Sequence, residues 1–573
     1  MFSFRALVQS RYPLAIVSGL LLACSFLPYG VAGFAWIAPG MILLSAAGRR
    51  GWEAFRIGYV AGMAHYLVML TWLLHIPYRW HGIPLGPAAG WAALSAFLAL
   101  FPATWVWALT SNLSAPPAEL GDGSYGGTRL QQALSGLAGR NWVQRTKWAL
   151  YGAVLWVALE MLLARIFGGF PWDLLGVSQY RLVPLIQIAS VTGVYGVSFL
   201  VIWFSLSLAS GVAVALSGKY SKSTWVKEVF LPALVIAVLF NLGFRHVRAA
   251  PEPIRRLKVA TIQPSIPQTL IWDSQADNER IREVIALSER ALSNHVDLLI
   301  WPESAVPKLL RYDEKTFAAV TGLARRFKTW MIIGADDAEP KAQGKTPDDT
   351  DYFNSSFLIS PEGRLVERYR KRSLVIFGEY IPLVKWLPFV KWFTPIQGGF
   401  TPGDKSVDFK MDSIGVTTSV LICYEDVFAH VGRSAAQDDE DFLVNITNNG
   451  WFGEAGAQWQ HAVTAIFRAV ENGLPLVRAT NSGLSCWIDA QGRLRDFFTD
   501  PRGSIYGKGI FSFELPLSTS AARTERTFYN RHGDVFGWSC AVLAILGLLM
   551  NTVSGRKMRR QPQPAVSSRA PVP

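Results

Sequence analysis

Charged residues are scarce in this sequence. Asp, Glu, Lys and Arg make up 17% of the 573 residues, whereas 50% of the residues are hydrophobic. A soluble domain usually carries about 25% charged residues. The apolar residues also form runs close to the roughly 20 residues that a helix needs to cross a bilayer. Composition and length together exclude an ordinary small soluble domain and predict a membrane protein with several domains.

Cysteine is scarce as well, with four residues in the whole chain, Cys24, Cys423, Cys486 and Cys540. They form no CxxC pair, and no His/Cys cluster has metal-ligand spacing, so we predict no metal site and no cofactor. Cys24 and Cys540 lie in apolar runs, which favours buried thiols. A disulfide between Cys423 and Cys486 stays open, although a catalytic thiol would have to stay reduced.

The formal net charge is +13, yet the basic residues do not indicate a nucleic-acid partner. Binding to nucleic acid would need Lys and Arg gathered on one face with aromatic residues between them. Here they lie in short segments between apolar runs, a pattern typical of a membrane protein.

Eight membrane spans are predicted, seven before residue 250 and one near the end of the chain. They cover 13–30, 32–47, 57–75, 86–111, 148–166, 187–216, 229–246 and 534–552. We expect a transmembrane domain over 1–250 with a Gly-rich cytoplasmic loop at 112–147, a second domain over 251–530, a C-terminal span over 531–555 and a disordered basic tail over 556–573.

Basic residues between the spans indicate the orientation. Arg and Lys concentrate before the first span, in alternate loops and after the last span. Because cytoplasmic loops are enriched in Lys and Arg, we expect both termini in the cytoplasm and residues 251–530 on the opposite side. Leu21-Leu22-Ala23-Cys24 also allows a cleaved signal peptide with a lipobox, but an uncleaved first span is the better interpretation.

Residues 251–530 alternate strand and helix patterns, which predicts an α/β layered domain. Three polar residues, Glu303, Lys371 and Cys423, each follow a strand-like run. Ligand sites of α/β sheets lie beyond the carboxyl ends of strands, so these residues are candidates for one site.

A thiol, a carboxylate and an ammonium suit acyl transfer. A free thiol has a pKa of about 8.5 and a free Glu about 4.3, so Glu303 is too weak a base for Cys423 in water. Burial would raise the Glu pKa, and a nearby cation such as Lys371 would lower that of the thiol. The same cation could stabilise the oxyanion of a tetrahedral intermediate.

These residues stand in sequence motifs, which are Trp301-Pro302-Glu303, Tyr369-Arg370-Lys371 and Cys423-Tyr424-Glu425. Further motifs are Gln263 to Gln268 with Trp272, Phe377-Gly378-Glu379, Asn448 to Gly453, Gln458 to His461, Arg478 to Gly483 and, in the apolar part, Gly169 to Trp172. With the spans around them, the chain resembles the apolipoprotein N-acyltransferases, membrane-embedded members of the nitrilase superfamily.

The resemblance implies an αββα sandwich in which Cys423 is the nucleophile, Glu303 the general base and Lys371 the oxyanion partner. The residues that it implies as supporting or substrate-binding are Glu379, Glu425, Tyr424, Trp272, Trp451 and Asn354. One departure is Ile376, where the family usually has Pro before Phe-Gly-Glu.

The resemblance also implies the reaction and the place. A fatty acyl chain would pass from a phospholipid, with phosphatidylethanolamine expected, to the α-amine of a diacylglyceryl cysteine on an apolipoprotein, through a thioester. The protein would be a monomer in the inner membrane of a bacterium, with a periplasmic catalytic domain.

Two rival functions differ in what they need from the membrane part. A membrane-anchored amidase acting on a small amide needs the same triad but only one span. A transporter would favour repeated halves and several polar residues within the spans. We find no repeat, and only Glu160 and Arg165 are clear intramembrane charges. Structural packing is the favoured role for these two residues.

Overall fold

The computed structural model describes residues 11–76, 85–111, 137–216, 225–249, 253–271, 273–341, 350–381, 399–437, 439–518 and 526–560. The α-helices of the first 250 residues are α1 (Arg11–Cys24), α2 (Ala38–Ser45), α3 (Gly51–Met69), α4 (Gly86–Leu98), α5 (Leu100–Ser111), α6 (Trp142–Leu163), α7 (Val183–Ile186), α8 (Ala189–Thr192), α9 (Val194–Leu216) and α10 (Val226–Arg248).

Four stretches of helix in the described part of the chain are long and apolar enough to cross a membrane: Gly86–Thr110, Trp142–Leu163, Val194–Leu216 and Val226–Arg248. The predicted count of eight spans is therefore not confirmed. The predicted spans 13–30 and 534–552 coincide with shorter apolar helices. The predicted span 32–47 holds a 3-10 turn followed by the eight-residue α2, in which Pro39 occupies the first turn.

The predicted span 187–216 begins too early. Gly193 has a φ of 66°, which ends α8 and turns the chain before α9 begins at Val194. A left-handed residue cannot continue a right-handed helix, and glycine adopts this conformation at little cost. The apolar run is continuous in sequence, so hydrophobicity alone could not show the break.

The described residues between Arg255 and Leu517 form two six-stranded sheets. Their strands are β1 (Arg255–Gln263), β2 (Leu298–Ile300), β3 (Trp330–Pro340), β4 (Thr350–Ile359), β5 (Leu365–Arg370), β6 (Asp408–Met411), β7 (Val416–Ile422), β8 (Phe442–Thr447), β9 (Leu476–Thr480), β10 (Cys486–Ile488), β11 (Leu494–Phe497) and β12 (Gly509–Leu517). The sheet orders are β12-β1-β2-β3-β4-β5 and β11-β10-β9-β8-β7-β6. Within each sheet the three central strands, β1-β2-β3 and β7-β8-β9, are parallel.

Apolar side chains explain the layers. One core joins the facing sides of the sheets, with Val259 and Ile300 of the first sheet and Val420 and Ile446 of the second. A second core covers the outer face of the first sheet with helices α11 (Asp277–Ala291) and α12 (Glu314–Phe327). Helices α13 (Ala429–Ser434) and α14 (Ala457–Asn472) cover the second sheet. The result is the predicted αββα sandwich.

The outer side of α14 is not a solvent face. Every residue of α14 except Trp459 is buried, because the helices of the first 250 residues pack on the side that faces away from the sheet. Val194 at the start of α9 donates its N–H to Glu471 of α14 at 2.9 Å. The chain ends with α15 (Phe528–His532) and α16 (Val535–Arg560), of which α16 packs against α6. One continuous core thus joins the sandwich to the apolar helices.

Gly334 of β3 is expected to be intolerant of any side chain. A Cβ at this position would stand 2.1 Å from the carbonyl oxygen of Pro302 and 2.8 Å from Cα of Glu303. Gly334→Ala should lower the free energy of unfolding by about 1–3 kcal/mol, the usual cost of overpacking. It should also displace Glu303. Gly322→Ala in α12 is the matched control, since a Cβ there meets nothing within 4 Å. Thermal unfolding that is equal in both variants would contradict this prediction.

Candidate active site

Three strand ends bring the predicted triad together. Glu303 lies three residues after β2, Lys371 follows β5, and Cys423 follows β7 of the other sheet. The ends of these strands open on the same edge of the sandwich, as expected for a site on α/β sheets. Nζ of Lys371 lies 3.5 Å from Oε1 of Glu303. Electrostatic interaction with Cys423 is also among the influences on the pKa of Lys371.

Glu303 is held by three donors. Its Oε1 accepts hydrogen bonds from Nδ2 of Asn354 at 2.7 Å and Nζ of Lys371 at 3.5 Å. Its Oε2 accepts one from the backbone N–H of Asn448 at 2.8 Å. The carboxylate is only 6% exposed, so these donors fix its orientation rather than compete with water. A base that is oriented in this way can meet a proton at one defined position.

Lys371 is the centre of a buried charge cluster. It is 1% exposed and donates to Oε1 of Glu379 at 2.9 Å as well as to Glu303. Burial lowers the pKa of the Lys371 ammonium, but the carboxylates of Glu379 and Glu303 outweigh burial and leave its pKa raised. Lys371 therefore stays charged at neutral pH and can act as an oxyanion partner but not as a base.

Asn354 couples the two carboxylates. Its Nδ2 donates to Oε1 of Glu303 at 2.7 Å and to Oε1 of Glu379 at 2.8 Å. Oε2 of Glu379 accepts the backbone N–H of Val375 at 2.9 Å, which ties the cluster to the segment after β5. Asn354 and Glu379 thus hold Glu303 and Lys371 in place.

Cys423 has an unusual backbone for a residue with a side chain. Its φ is 54°, in the left-handed region, at the start of the 3-10 turn Cys423–Val427 that follows β7. Strain of this kind is expected where a function fixes the side-chain direction. Burial and the charge of Glu303 raise the pKa of the thiol to about 12, although Lys371 acts in the opposite direction. The resting sulfur is therefore a protonated thiol.

The pKa of the Cys423 thiol is raised although the sequence predicts that Lys371 lowers it. Lys371 does lower this pKa, but burial of the thiol and the charge of Glu303 raise it by more. A sulfur that is protonated at rest would need a base such as Glu303 to attack a carbonyl, as in general base catalysis. No disulfide connects Cys423 to Cys486, since both are free. Cys540 is buried as predicted, whereas Cys24 is only partly buried.

Glu425 lies two residues after Cys423 and holds the turn there through buried hydrogen bonds. It is 0% exposed and accepts hydrogen bonds from the hydroxyl of Tyr369 at 2.8 Å and from the backbone N–H of Arg372 at 2.7 Å and Ile422 at 2.8 Å. These bonds tie the turn after Cys423 to the strand that leads to Lys371. Glu425 therefore sets the spacing between nucleophile and cation.

Tyr424 faces the membrane helices. Its ring stacks on Trp172, with ring centroids 6.1 Å apart, and lies 6.2 Å from Phe170. Trp172 in turn donates its indole N–H to Gln460 of α14 at 2.8 Å. The motif Gly169 to Trp172 thus reaches from the apolar helices to the residue beside Cys423.

Trp451 belongs to the 3-10 turn Asn449–Phe452 and is partly exposed. Its neighbour Phe452 packs on Trp72 with ring centroids 4.5 Å apart and lies 6.2 Å from Trp172. Trp272 lies outside the described residues, as does most of the predicted loop at 112–147.

Sequence reasoning assigned no role to three residues of the site. Asn448 donates its backbone N–H to Glu303. Asp426 is 0% exposed and pairs with His461 at 2.7 Å. Asp336 is the cross-strand partner of Asn354, and burial together with the charges of Glu303 and Glu379 raises its pKa to about 7. The sequence motifs that contain Asn448 and His461 could have indicated these residues as part of the site. Asp336 stands beside Asp337 in a pair of acidic residues that matches no motif.

Glu160 and Arg165 have protein partners. Glu160 accepts hydrogen bonds from Nε1 of Trp156 at 2.9 Å and from the N–H of Leu175 at 2.8 Å. Arg165 forms an ion pair with Asp534 and lies over the ring of Trp538. These contacts are those of structural packing, the role favoured from the sequence.

Comparison with known proteins covers both parts of the chain. The family model of carbon-nitrogen hydrolases matches residues 258–500, and that of the apolipoprotein N-acyltransferase N-terminal domain matches residues 18–207. The apolipoprotein N-acyltransferase of Geobacter metallireducens is 34% identical, over 96% of this chain and 98% of its own length. That of Methylococcus capsulatus is 30% identical, over 84% of this chain and 86% of its own.

The chain belongs to the apolipoprotein N-acyltransferase family. Membership confirms the predicted acyltransferase, its place in the nitrilase superfamily and its function in lipoprotein maturation. It also decides against the two rivals, because the apolar helices match a domain that is characteristic of this family rather than an anchor or a transporter.

Solved structures with some similarity to this chain include an amidase and a carbon-nitrogen hydrolase. An amidase of the nitrilase superfamily from Nesterenkonia is 18% identical and covers 45% of this chain and 90% of its own, with a TM-score of 0.34. A carbon-nitrogen hydrolase from Helicobacter pylori is 17% identical and covers 49% of this chain and 94% of its own, with a TM-score of 0.35.

The raised thiol pKa makes the alkylation of Cys423 depend steeply on pH. Only the thiolate is nucleophilic, and its fraction rises about tenfold for each pH unit below the thiol pKa. Iodoacetamide should therefore modify Cys423 slowly at neutral pH, and the rate should keep rising beyond pH 9. Peptide mass spectrometry after timed quenching measures the rate, with Cys423→Ala as the blank. A rate that levels off near pH 7 would show a stable thiolate instead and contradict the prediction.

Proposed function

We propose that this enzyme transfers a fatty acyl chain from a phospholipid to the α-amine of a diacylglyceryl cysteine, with Cys423 as the carrier. The observation that carries the proposal is the buried cluster of Glu303, Lys371 and Glu379 beside Cys423, whose neighbour Tyr424 stacks on Trp172 of the membrane part. This acyl-transfer centre lies where the catalytic part contacts the apolar helices. Such a position suits lipid substrates whose acyl chains stay in the bilayer.

In the first step Glu303 removes the proton of the Cys423 thiol while the sulfur attacks the ester carbonyl of the phospholipid. A C–S bond forms, and the carbonyl oxygen becomes an oxyanion beside the Lys371 ammonium. The ester C–O bond then breaks, and Glu303 returns its proton to the departing glycerol oxygen. The products are a lysophospholipid and a thioester on Cys423.

In the second step the lipoprotein amine, in its neutral form, attacks the thioester carbonyl. A C–N bond forms, the C–S bond breaks, and Glu303 moves a proton from the amine to the departing sulfur. The thiol is restored and the acyl chain becomes an amide. The base that started the first step is thus ready for the next turnover.

Supporting roles follow from the contacts. Glu379 and Asn354 orient Lys371 and Glu303, and Glu425 fixes the turn after the nucleophile. We propose that Tyr424, Trp451 and Trp272 shape the opening toward lipid. For Tyr424 this rests on its aromatic contacts with Phe170 and Trp172.

Phosphatidylethanolamine is the proposed acyl donor, and the proposed working unit is a monomer. The proposed domains are a transmembrane part over 1–250, a catalytic part over 251–530, a C-terminal span over 531–555 and a cytoplasmic tail over 556–573. The proposed location is the bacterial inner membrane, with the catalytic part in the periplasm and both termini in the cytoplasm. The support is the predicted clustering of Lys and Arg in alternate loops.

The carrier role of Cys423 can be tested by the mass of the intact protein. After incubation with phosphatidylethanolamine, the purified enzyme should gain one acyl group, and hydroxylamine should remove it as expected for a thioester. Cys423→Ala should gain none, whereas Cys540→Ala, which removes another buried thiol, should acylate normally. A full gain of mass in Cys423→Ala would refute the assignment. Incubation with phosphatidylglycerol in parallel tests the choice of donor, and faster acylation from it would refute that choice alone.

The orientation can be tested with a thiol reagent that does not cross membranes. Glu362 lies in the exposed turn between β4 and β5, and Val143 lies exposed at the start of α6 next to a basic segment. Glu362→Cys should react in cells whose outer membrane is opened, whereas Val143→Cys should react only after the inner membrane is opened too. The reverse pattern would place the catalytic part in the cytoplasm.

A further inference from the structure

Asp426 is buried three residues after the nucleophile in the turn Cys423–Val427. It is 0% exposed, and its carboxylate has two partners, Nε2 of His461 at 2.7 Å and the guanidinium of Arg478 in β9. Burial raises the pKa of Asp426, but Arg478 and His461 outweigh burial, so its pKa is lowered overall. The turn that carries the sulfur is therefore anchored by a permanent buried anion.

His461 connects that anion to the loop that orients the base. The imidazole is 1% exposed and lies with Nδ1 3.0 Å from Oδ1 of Asn449. The residue before Asn449 is Asn448, whose N–H donates to Glu303. One side chain of α14 thus joins the nucleophile turn to the segment that holds the general base.

The same imidazole is packed against the membrane part. The ring of His461 lies 5.3 Å from that of Trp172, centroid to centroid, and Trp172 also stacks on Tyr424. The neighbouring residue Gln460 accepts from Trp172 and donates to the carbonyl oxygen of Leu27 at 2.7 Å. Helix α14 therefore holds His461 against the nucleophile from the direction of the apolar helices.

An apolar side chain could fill the same space, but it would leave the Asp426 carboxylate without one of its two partners. Arg478 would still compensate the charge, so loss of His461 alone is not expected to leave an unpaired buried anion. What would be lost is the connection between the Cys423 turn and the Asn448–Asn449 segment. The expected consequence is misplacement of the sulfur relative to Glu303, not unfolding.

We propose that His461 is a positioning residue that fixes the sulfur of Cys423 relative to the carboxylate of Glu303, acting through Asp426 on one side and Asn449 on the other. The proposal rests on the proposed function, since it takes Cys423 as the nucleophile. His461 does not touch the reacting atoms in this role. Its contribution is to the geometry of acylation, where a misplacement of about 1 Å can cost on the order of a hundredfold in rate.

Three substitutions separate positioning from general support of the fold. His461→Ala removes both contacts. His461→Gln keeps a donor near the position of Nε2 and so keeps the contact with Asp426. His461→Asn keeps a donor near the position of Nδ1, which preserves the contact with Asn449 but loses the contact with Asp426. The control is His295→Ala, an exposed histidine of the same domain whose side chain is 68% exposed.

The measurements are the rate of thioester formation from phosphatidylethanolamine in a single turnover, the donor KM and the thermal unfolding of each intact enzyme. We expect His461→Ala to acylate on the order of thirtyfold to a hundredfold more slowly, with the donor KM within about twofold. His461→Gln and His461→Asn, which each keep one of the two contacts, should each recover part of the loss, and His295→Ala should match the parent.

Thioester formation at the parent rate in folded His461→Ala would overturn the proposal. Equal losses of acylation rate in all three His461 variants, in step with lowered unfolding temperatures, would also overturn it, because they would indicate general support of the fold. Acylation of Cys423→Ala would instead refute the function on which the proposal rests.

Discussion

The site depends on keeping one ammonium charged inside the protein. Lys371 is almost fully buried, and two carboxylates, Glu303 and Glu379, offset its desolvation by lying within ion-pair distance. Burying a charge without partners costs several kcal/mol, so loss of any one of the three groups would destabilise the other two. Burial of the Cys423 thiol, together with the negative charge of Glu303, raises the pKa of the thiol. In the proposed mechanism the cluster therefore supplies the oxyanion partner, and the thiol needs a base.

The apolar helices are part of the catalytic architecture and not only its anchor. Helix α14 is buried between the second sheet and the membrane part, and it contributes Gln460 and His461 to contacts on either side. Trp172, which belongs to the membrane part, touches both His461 and Tyr424. The geometry around Cys423 is consequently defined by residues from both halves of the chain.

Much of the sandwich was predictable because its signals are local. The strands before Glu303 and Cys423 and the helix around 458–472 end within a few residues of their predicted bounds. The candidate triad was predicted through the motifs that carry it. The start of the span at 187–216 was not predictable, since the break at Gly193 depends on a backbone conformation that hydrophobicity does not record. Asp336 was missed because its significance comes from pairing with Asn354 across two strands.

A raised thiol pKa has a consequence for an enzyme that carries an acyl chain. A resting thiolate in the periplasm or at a bilayer surface would react with any passing electrophile or oxidant, since the thiolate is the reactive form. With the pKa of Cys423 raised to about 12, the resting sulfur is a protonated thiol, and in the proposed mechanism Glu303 has to remove its proton. Donors to both oxygens of Glu303 hold that carboxylate in one orientation, so it can accept a proton at one defined position. The buried surroundings that make the thiol a poor nucleophile at rest would thus confine its activation to the moment when Glu303 accepts the proton.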